Sequence, residues 1–403
     1  NKNNLVIEDG VEFYPKQIWM MSIDGSNETI LTQNNDYNCF QPRWSPDGKY
    51  IVYVSDQGRD NQGVRNNDIW IMDLEGGQKT QLTTNGSWDD YPVWNFKAGN
   101  PEAGELPRFR KMLKQTGSGA IRIPLRWRVM ERKKGAWDFS VVDRTVKAIP
   151  ADVEILGTLM SVPAWANGTV PGKTEGWFDG YAPKDVRDWA NYVSMTVSHY
   201  HRHIKHWEIW NEQNGVDFYR PRPDAKAYTE LLKSAYIAAK KADPECIVVL
   251  GGLQMNGIIP NPWSPVKTPD YLEDLYKAGA RPYFDVCNIH PYVLPNEGAG
   301  HMMKLTRDTL ALMARYEDGS KPLWITEIGC GATSTEAEAD QARLLRDVFR
   351  AASSEPRIER VFWFLLRDTQ KNILGPEGSM GLFSYQGRVK PALGAFVQAT
   401  TGK

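Results

Sequence analysis

From residue 96 onward the chain alternates between short apolar runs and longer amphipathic stretches, and this alternation leaves few folds open. Apolar runs of strand length separated by helical patterns argue for a parallel sheet, because parallel neighbours need a crossover between them. Helices are expected at 105–115, 140–149, 184–201 (capped near Pro183), 224–242, 270–278, 303–316, 336–352 and 392–400. Strands are expected at 120–125, 153–159, 204–210, 247–251, 284–289, 323–326 and 360–366. That makes seven strands in a span that is ample for a (β/α)8, or TIM, barrel. The absent one is the first. Its place is taken by Asn95-Phe96-Lys97-Ala98-Gly99-Asn100-Pro101-Glu102, a poor strand sequence. We expect 91–96, or another N-terminal strand, to fill the gap, which would make the two regions one cooperative unit.

Two of the expected strands end alike. Trp207-Glu208-Ile209-Trp210-Asn211-Glu212-Gln213 is an apolar strand closing on a polar Asn-Glu pair, and Pro322-Leu323-Trp324-Ile325-Thr326-Glu327-Ile328-Gly329 closes on a glutamate. In a parallel α/β barrel the C-terminal ends of the strands carry the chemistry. Two glutamates at two such ends form a candidate acid and nucleophile for glycoside hydrolysis. The bland alternative is a salt-bridged barrel rim.

Together with Ile121-Arg122-Ile123-Pro124 and His290-Pro291-Tyr292, these stretches resemble clan A glycoside hydrolases, and within the clan the family 39-like enzymes. The motifs occur in the family's order from about residue 104 to the C-terminus. The resemblance implies a retaining hydrolase of β-glycosidic bonds in an oligo- or polysaccharide. Glu212 would be the acid/base and Glu327 the nucleophile. Arg122 resembles the clan arginine beside the nucleophile, and Tyr292 the tyrosine that hydrogen-bonds it. Asn211 resembles the residue that binds the sugar 2-hydroxyl. His290 is an orienting group or a sugar ligand. Trp363 matches the floor of the subsite in which the sugar is cleaved, and Trp165, after the third strand, is a candidate stacking platform; core packing is the alternative for each. Arg122 could instead pair with Glu208, which we expect to point into the barrel as a buried structural carboxylate. Trp127 and Trp210 are expected to pack. The mechanism needs no cofactor and no metal. Family 39-like enzymes include β-xylosidases, α-L-iduronidases and endo-acting hydrolases, so the resemblance does not select a sugar. The segments 166–181 and 253–269, with Trp177, Phe178 and Trp263, could wall a groove.

The first 95 residues have a different texture. Gln17-Ile18-Trp19-Met20-Met21-Ser22-Ile23-Asp24-Gly25 returns as Asp68-Ile69-Trp70-Ile71-Met72-Asp73-Leu74-Glu75-Gly76, an offset of 51 residues, which marks an internal repeat. Between the copies, 42–53 is expected as a hairpin turning at Pro46-Asp47-Gly48. Asp90-Tyr91-Pro92-Val93-Trp94-Asn95 looks like a further copy broken off. The motif resembles TolB-like β-propeller repeats. About one and a half copies fall short of the four to eight blades of a closed propeller. We therefore expect an all-β structural appendage over 1–95, with a sugar- or peptide-binding module as the alternative, and the hydrolase barrel over 96–403.

Composition closes off other classes. The formal net charge is −1, from 48 basic and 49 acidic residues, and no basic run stands out, which argues against a nucleic-acid partner. No apolar stretch is long enough to span a membrane. Four scattered cysteines, Cys39, Cys246, Cys287 and Cys330, form no Cys-x-x-Cys or Cys/His cluster and are expected as buried thiols. The start, Asn1-Lys2-Asn3-Asn4, has no signal-peptide core, as a mature exported chain would also lack one. We expect a secreted or periplasmic protein whose partner is a carbohydrate. The rival function is a catalytically inactive carbohydrate-binding barrel.

Overall fold

The structure is a computed structural model that describes residues 6–8, 11–13, 16–22, 26–33, 36–44, 49–59, 65–73, 77–82, 105–169, 180–255, 268–369 and 378–401. It divides into two compact units, Asn1–Pro101 with Thr169–Gly176, and Glu102–Gly168 with Trp177–Lys403.

The first unit is antiparallel. Strands β1 (Val6–Glu8) and β2 (Val11–Phe13) pair, as do β3 (Trp19–Met20) and β4 (Thr29–Ile30). Strands β5 (Cys39–Trp44), β6 (Tyr50–Arg59), β7 (Arg65–Asp73) and β8 (Lys79–Gln81) form a four-stranded meander. That meander has the form of one propeller blade. The repeat read from the sequence is also a repeat of register. Trp19 faces Ile30 in β3–β4, and Trp70 faces Gln81 in β7–β8, each partner displaced by 51 residues. The bond from Leu31 N–H to the Ile18 carbonyl recurs as Leu82 N–H to the Ile69 carbonyl. Cys39, Ile51, Tyr53 and Met72 form a small core with Ile18. The expected Pro46-Asp47-Gly48 turn and the 90–95 copy lie outside the described residues.

The second unit is the barrel. Strands β9 (Ala120–Arg126), β10 (Glu154–Met160), β11 (His206–Asn211), β12 (Ile247–Gln254), β13 (Cys287–His290), β14 (Leu323–Ile328) and β15 (Ile358–Trp363) are all parallel and pair in sequence order. Helices join them, including Glu105–Thr116, Ser140–Ala148, Val186–Tyr200, Ala225–Ala242, Gly298–Arg315 and Thr335–Ser353. This is a curled parallel sheet of the (β/α)8 class. The segment expected to supply the first strand, 91–96, lies outside the described residues.

The expected elements are present, with shifted ends. The helix at 186 is capped by Asp185, whose side chain accepts from Arg187 N–H at 2.8 Å, rather than by the Pro183 region. Asp224 and Ser334 cap two later helices in the same way. The sixth strand starts at Cys287, not 284, because Arg281–Tyr283 forms a 3-10 turn and Asp285 uses its side chain to accept from Val248 N–H. The last strand stops at Trp363, not 366, since Leu365 N–H turns to the Met380 carbonyl instead of continuing the ladder. All four cysteines are buried and free.

The main core lies between strands and helices, with Trp189, Tyr192, Leu232, Ala235, Met313 and Leu345 from the helices against Leu125, Leu159, Ile209, Leu250 and Ile325 from the strands. Inside the sheet, Leu156, Val249, Val286 and Trp324 form a separate apolar layer. Two residues further along three of those strands come Thr158, Asn288 and Thr326, which share that face by the period-two rule and are polar. This polar layer supports the mouth of the barrel.

Candidate active site

Parallel pairing puts every strand's C-terminal end at one rim. Asn211 is in register with Gly252, Gln254 with His290, and Ile328 with Trp363. Glu212 directly follows β11 and Glu327 is the penultimate residue of β14.

A strictly alternating strand would send neighbouring side chains to opposite faces. At both glutamates the pleat is broken. Trp210 and Glu212 have φ of 75° and 49°, in the left-handed region that non-glycine residues rarely occupy. Asn211 can therefore reach Arg122 while Glu212, its neighbour, reaches His290. In β14 the register slips between Ile325 and Ile328, and Thr326 and Glu327 both turn to the interior and mouth.

The two carboxyls lie close together. One oxygen of each, with a ring nitrogen of His290, falls within 4.8 Å of the others. Tyr292 Oη donates to Glu327 Oε2 at 2.8 Å, and Arg122 Nη1 donates to Glu327 Oε1. Arg122 also donates from Nη2 to Asn211 Oδ1 at 2.6 Å and from Nε to Glu208. His290, fully buried, sets Nδ1 at 2.9 Å from Glu212 Oε1 and Nε2 at 2.9 Å from Thr326 Oγ1.

These surroundings push the two glutamates apart electrostatically. Burial opposes charge on both. At Glu327 that effect is outweighed by His290, by the Arg122 guanidinium and by the Tyr292 hydroxyl, so its carboxyl ionises below the usual range. At Glu212 burial prevails, and the nearby Glu327 charge adds to it, so its carboxyl is held above the usual range. Burial favours neutral His290, but Glu327 and Glu212 together raise it above an ordinary histidine.

Glu208 does what the strand parity suggests. It is fully buried below the mouth and takes part in the polar layer. Its Oε2 accepts from Arg122 Nε and Thr158 Oγ1, and its Oε1 from Gly252 N–H at 3.1 Å, Asn288 Nδ2 at 2.8 Å and Thr326 Oγ1 at 3.1 Å. The donors sit on five other strands. Arg122 thus pairs with both Glu208 and Glu327.

The candidate aromatics divide. Trp363 ends β15 in register with Ile328, next to Glu327, and donates Nε1–H to the Met380 carbonyl at 3.0 Å. Trp165 donates Nε1–H to the Glu131 carbonyl at 2.9 Å, meets Trp127 edge to face at 5.4 Å and has Lys134 Nζ over its ring. The contacts described for Trp165 are with that cluster rather than the carboxyl pair. Trp127 stacks on Tyr192, and Trp210 donates to the Phe218 carbonyl, both as packing residues. Trp177, Phe178 and Trp263 lie outside the described residues.

Glu212, His290 and Glu327 have a spacing that can hold a cation. Here both His290 nitrogens face protein partners and Glu327 is paired with Arg122, so the cluster reads as a hydrogen-bonded carboxyl pair. Sequence reasoning did not single out Thr158, Asn288, Thr326 or Gly252. For the first three the available signal was polar residues at alternate positions in apolar strands; Gly252, which gives only its backbone N–H, carried none.

Among the described residues, no helix is long and apolar enough to cross a membrane. Residues 235–396 match the family model described as the glycosyl hydrolase catalytic core. An uncharacterised protein of Agrobacterium fabrum is 31% identical over 91 residues, which span 22% of this chain and 28% of that protein. A family 39 glycoside hydrolase from Bacteroides cellulosilyticus WH2 superposes with a TM-score of 0.59 at 19% identity, over 87% of this chain and 70% of that one. A family 39 enzyme from Xanthomonas axonopodis pv. citri gives a TM-score of 0.56 at 17% identity, over 72% and 62% of the two chains. By sequence over 235–396 this chain resembles the glycosyl hydrolase catalytic core, by fold over most of its length it is similar to solved glycoside hydrolases that include family 39 enzymes, and the catalytic-core match supports hydrolase activity on glycosides.

Proposed function

We propose that this chain is a retaining glycoside hydrolase that cleaves β-glycosidic bonds in an oligo- or polysaccharide, with Glu327 as nucleophile and Glu212 as acid/base. The observation that carries this is the close approach of two carboxyls in opposed environments, their nearest oxygens within 4.8 Å. Retaining enzymes hold the pair at roughly 5–5.5 Å, while inverting ones leave about 6.5–9.5 Å for a water molecule.

Glu327, kept ionised by Arg122, His290 and Tyr292, attacks the anomeric carbon and forms a glycosyl ester. Glu212, kept protonated by burial, gives its proton to the departing glycosidic oxygen. The resulting Glu212 carboxylate then takes a proton from the water that cleaves the ester, which restores both groups. Asn211, held by Arg122, is assigned to the sugar 2-hydroxyl, and Trp363 to the floor of the site. His290 orients Glu212. Trp165 is kept as an outer sugar contact. We assign 96–403 to this hydrolase and 1–95, with its TolB-like repeat, to a structural appendage, in a secreted or periplasmic protein.

The test is release of reducing ends from a panel of polysaccharides and aryl β-glycosides, with Glu327→Gln alongside. The variant should lose at least about 10³-fold in kcat, the scale of losing a covalent nucleophile. Hydrolysis that survives this change, or products of inverted configuration, would exclude the mechanism; binding without hydrolysis in the parent would indicate a carbohydrate-binding barrel.

A further inference from the structure

Thr326 has a hydroxyl with one proton and two lone pairs, and the structure accounts for all three. Its Oγ1 lies 3.1 Å from Glu208 Oε1, 2.8 Å from Asn288 Nδ2 and 2.9 Å from His290 Nε2. The orientation of the Asn288 amide is set independently, since its Oδ1 accepts from Thr326 N–H at 3.2 Å. The amide nitrogen must therefore be the group facing Thr326, and it can only donate; its two hydrogens serve three acceptors, with Thr326 Oγ1 and Glu208 Oε1 each at 2.8 Å and the Leu250 carbonyl at 3.1 Å. Glu208, gathering donors from five strands, can only accept. With the hydroxyl proton on Glu208 and one lone pair on the Asn288 amide, the remaining lone pair takes a hydrogen from His290 Nε2.

We propose that Glu208 and Asn288, acting through Thr326, lock His290 as the Nε2–H tautomer, and that this lock holds the acid proton on the Glu212–His290 pair. Neutral His290 then presents a bare Nδ1 to Glu212 at 2.9 Å. While the pair keeps one proton, it forms a good hydrogen bond. Once that proton leaves, a carboxylate faces a lone pair, which is repulsive, so the proton is hard to lose. The other tautomer would relieve the repulsion by donating Nδ1–H to the carboxylate, but Thr326 would then have to abandon Glu208. The other groups facing the pair are Glu327, which also favours retention of the proton, Arg122, which opposes it, and the Tyr292 hydroxyl. The raised ionisation of Glu212 and of His290 agrees with a retained proton. Thr326, Glu208 and Asn288 are positioning residues: they touch neither the reacting atoms nor Glu212.

The proposal rests on Glu212 as the acid, but its test has a readout that does not need activity. Histidine labelled with nitrogen-15 is recorded as a function of pH in the full chain, with His290 assigned among the six histidines by comparison with His290→Gln. After the pair has lost its proton, His290 should still carry hydrogen on Nε2. In Thr326→Val it should carry it on Nδ1, with the pair titrating about one pH unit lower, and Thr326→Ser should restore the parent behaviour. The alkaline limb of kcat/KM should move down with the same titration, by about one unit, a tenfold loss above it. Hydrogen on Nδ1 in the parent, or an unchanged tautomer and titration in Thr326→Val, would overturn the proposal. If no glycoside is hydrolysed at all, the hydrolase reading fails while the nitrogen spectra still decide the tautomer.

Discussion

Glu208 gives the sharpest stability prediction, because its replacement by glutamine changes charge and donor count with little change in shape. The carboxylate is fully buried and accepts from Arg122, Thr158, Gly252, Asn288 and Thr326. A glutamine oxygen can keep the three donors on the Oε1 side. Its amide nitrogen must then face Arg122 Nε and Thr158. The threonine hydroxyl can turn to accept, whereas a guanidinium cannot. The loss therefore concentrates on Arg122, whose side chain is 15% exposed and which keeps Glu327 as its remaining ionic partner and Asn211 Oδ1 as a neutral acceptor. Removing one partner of a buried ion pair typically costs about 3–5 kcal/mol, and the surviving carboxylate argues for the lower end, about 3 kcal/mol. Against a total stability of roughly 5–15 kcal/mol this is large. In urea, with a slope of about 2–3 kcal/mol per M for a unit of this size, the barrel's midpoint should fall by about 1 M at unchanged slope. Glu208→Ala should cost more, since Gly252 N–H also loses its acceptor. A loss in Glu208→Gln below about 1 kcal/mol would show that Glu327 alone satisfies Arg122, and would refute the idea that Glu208 supports the mouth.

Two further predictions concern the rim. A Cβ added at Gly252 would sit 2.0 Å from His290 Nε2, so Gly252→Ala should displace the ring and cut kcat/KM by about 10²-fold, measured on whichever glycoside the panel identifies; near-parent activity would mean that His290 need not stay where it is. Glu212 ionises above its unfolded value, so the folded state binds its proton more tightly and its contribution to stability falls as pH rises from the unfolded value through the folded one. Glu212→Gln removes that penalty and should be more stable than the parent at neutral pH, with the difference shrinking towards acid pH; urea titrations across pH 4 to 8 check the sign.

Much of this protein is legible in one dimension. Period and length placed seven parallel strands and their helices, because an apolar run flanked by amphipathic helices has few other ways to bury itself. The 51-residue echo marked two like β segments, and the structure adds that they share a pairing register, since like sequences make like ladders. Glu212 and Glu327 could be picked out because catalytic groups follow strand ends. Strand boundaries were less legible: β15 ends because, after Phe364 makes the last ladder bond to the Ile328 carbonyl, Leu365 pairs with a loop distant in sequence.

What only the tertiary structure decided is how the glutamates are held. Strand parity alone would put Thr326 and Glu327 on opposite faces, and Asn211 and Glu212 likewise. The register slip in β14 and the left-handed backbone at Trp210 and Glu212 bring all four to the interior or mouth. The polar layer beneath is assembled from Arg122, Thr158, Glu208, Gly252, Asn288 and Thr326, one residue from each of six strands. Strand pattern can say that the five side chains among them, Gly252 giving only its backbone N–H, are polar and face inward. Only closing the sheet into a curve brings them within hydrogen-bonding distance of one carboxylate, because these bonds depend on curvature and register, which are properties of the packed sheet rather than of any strand.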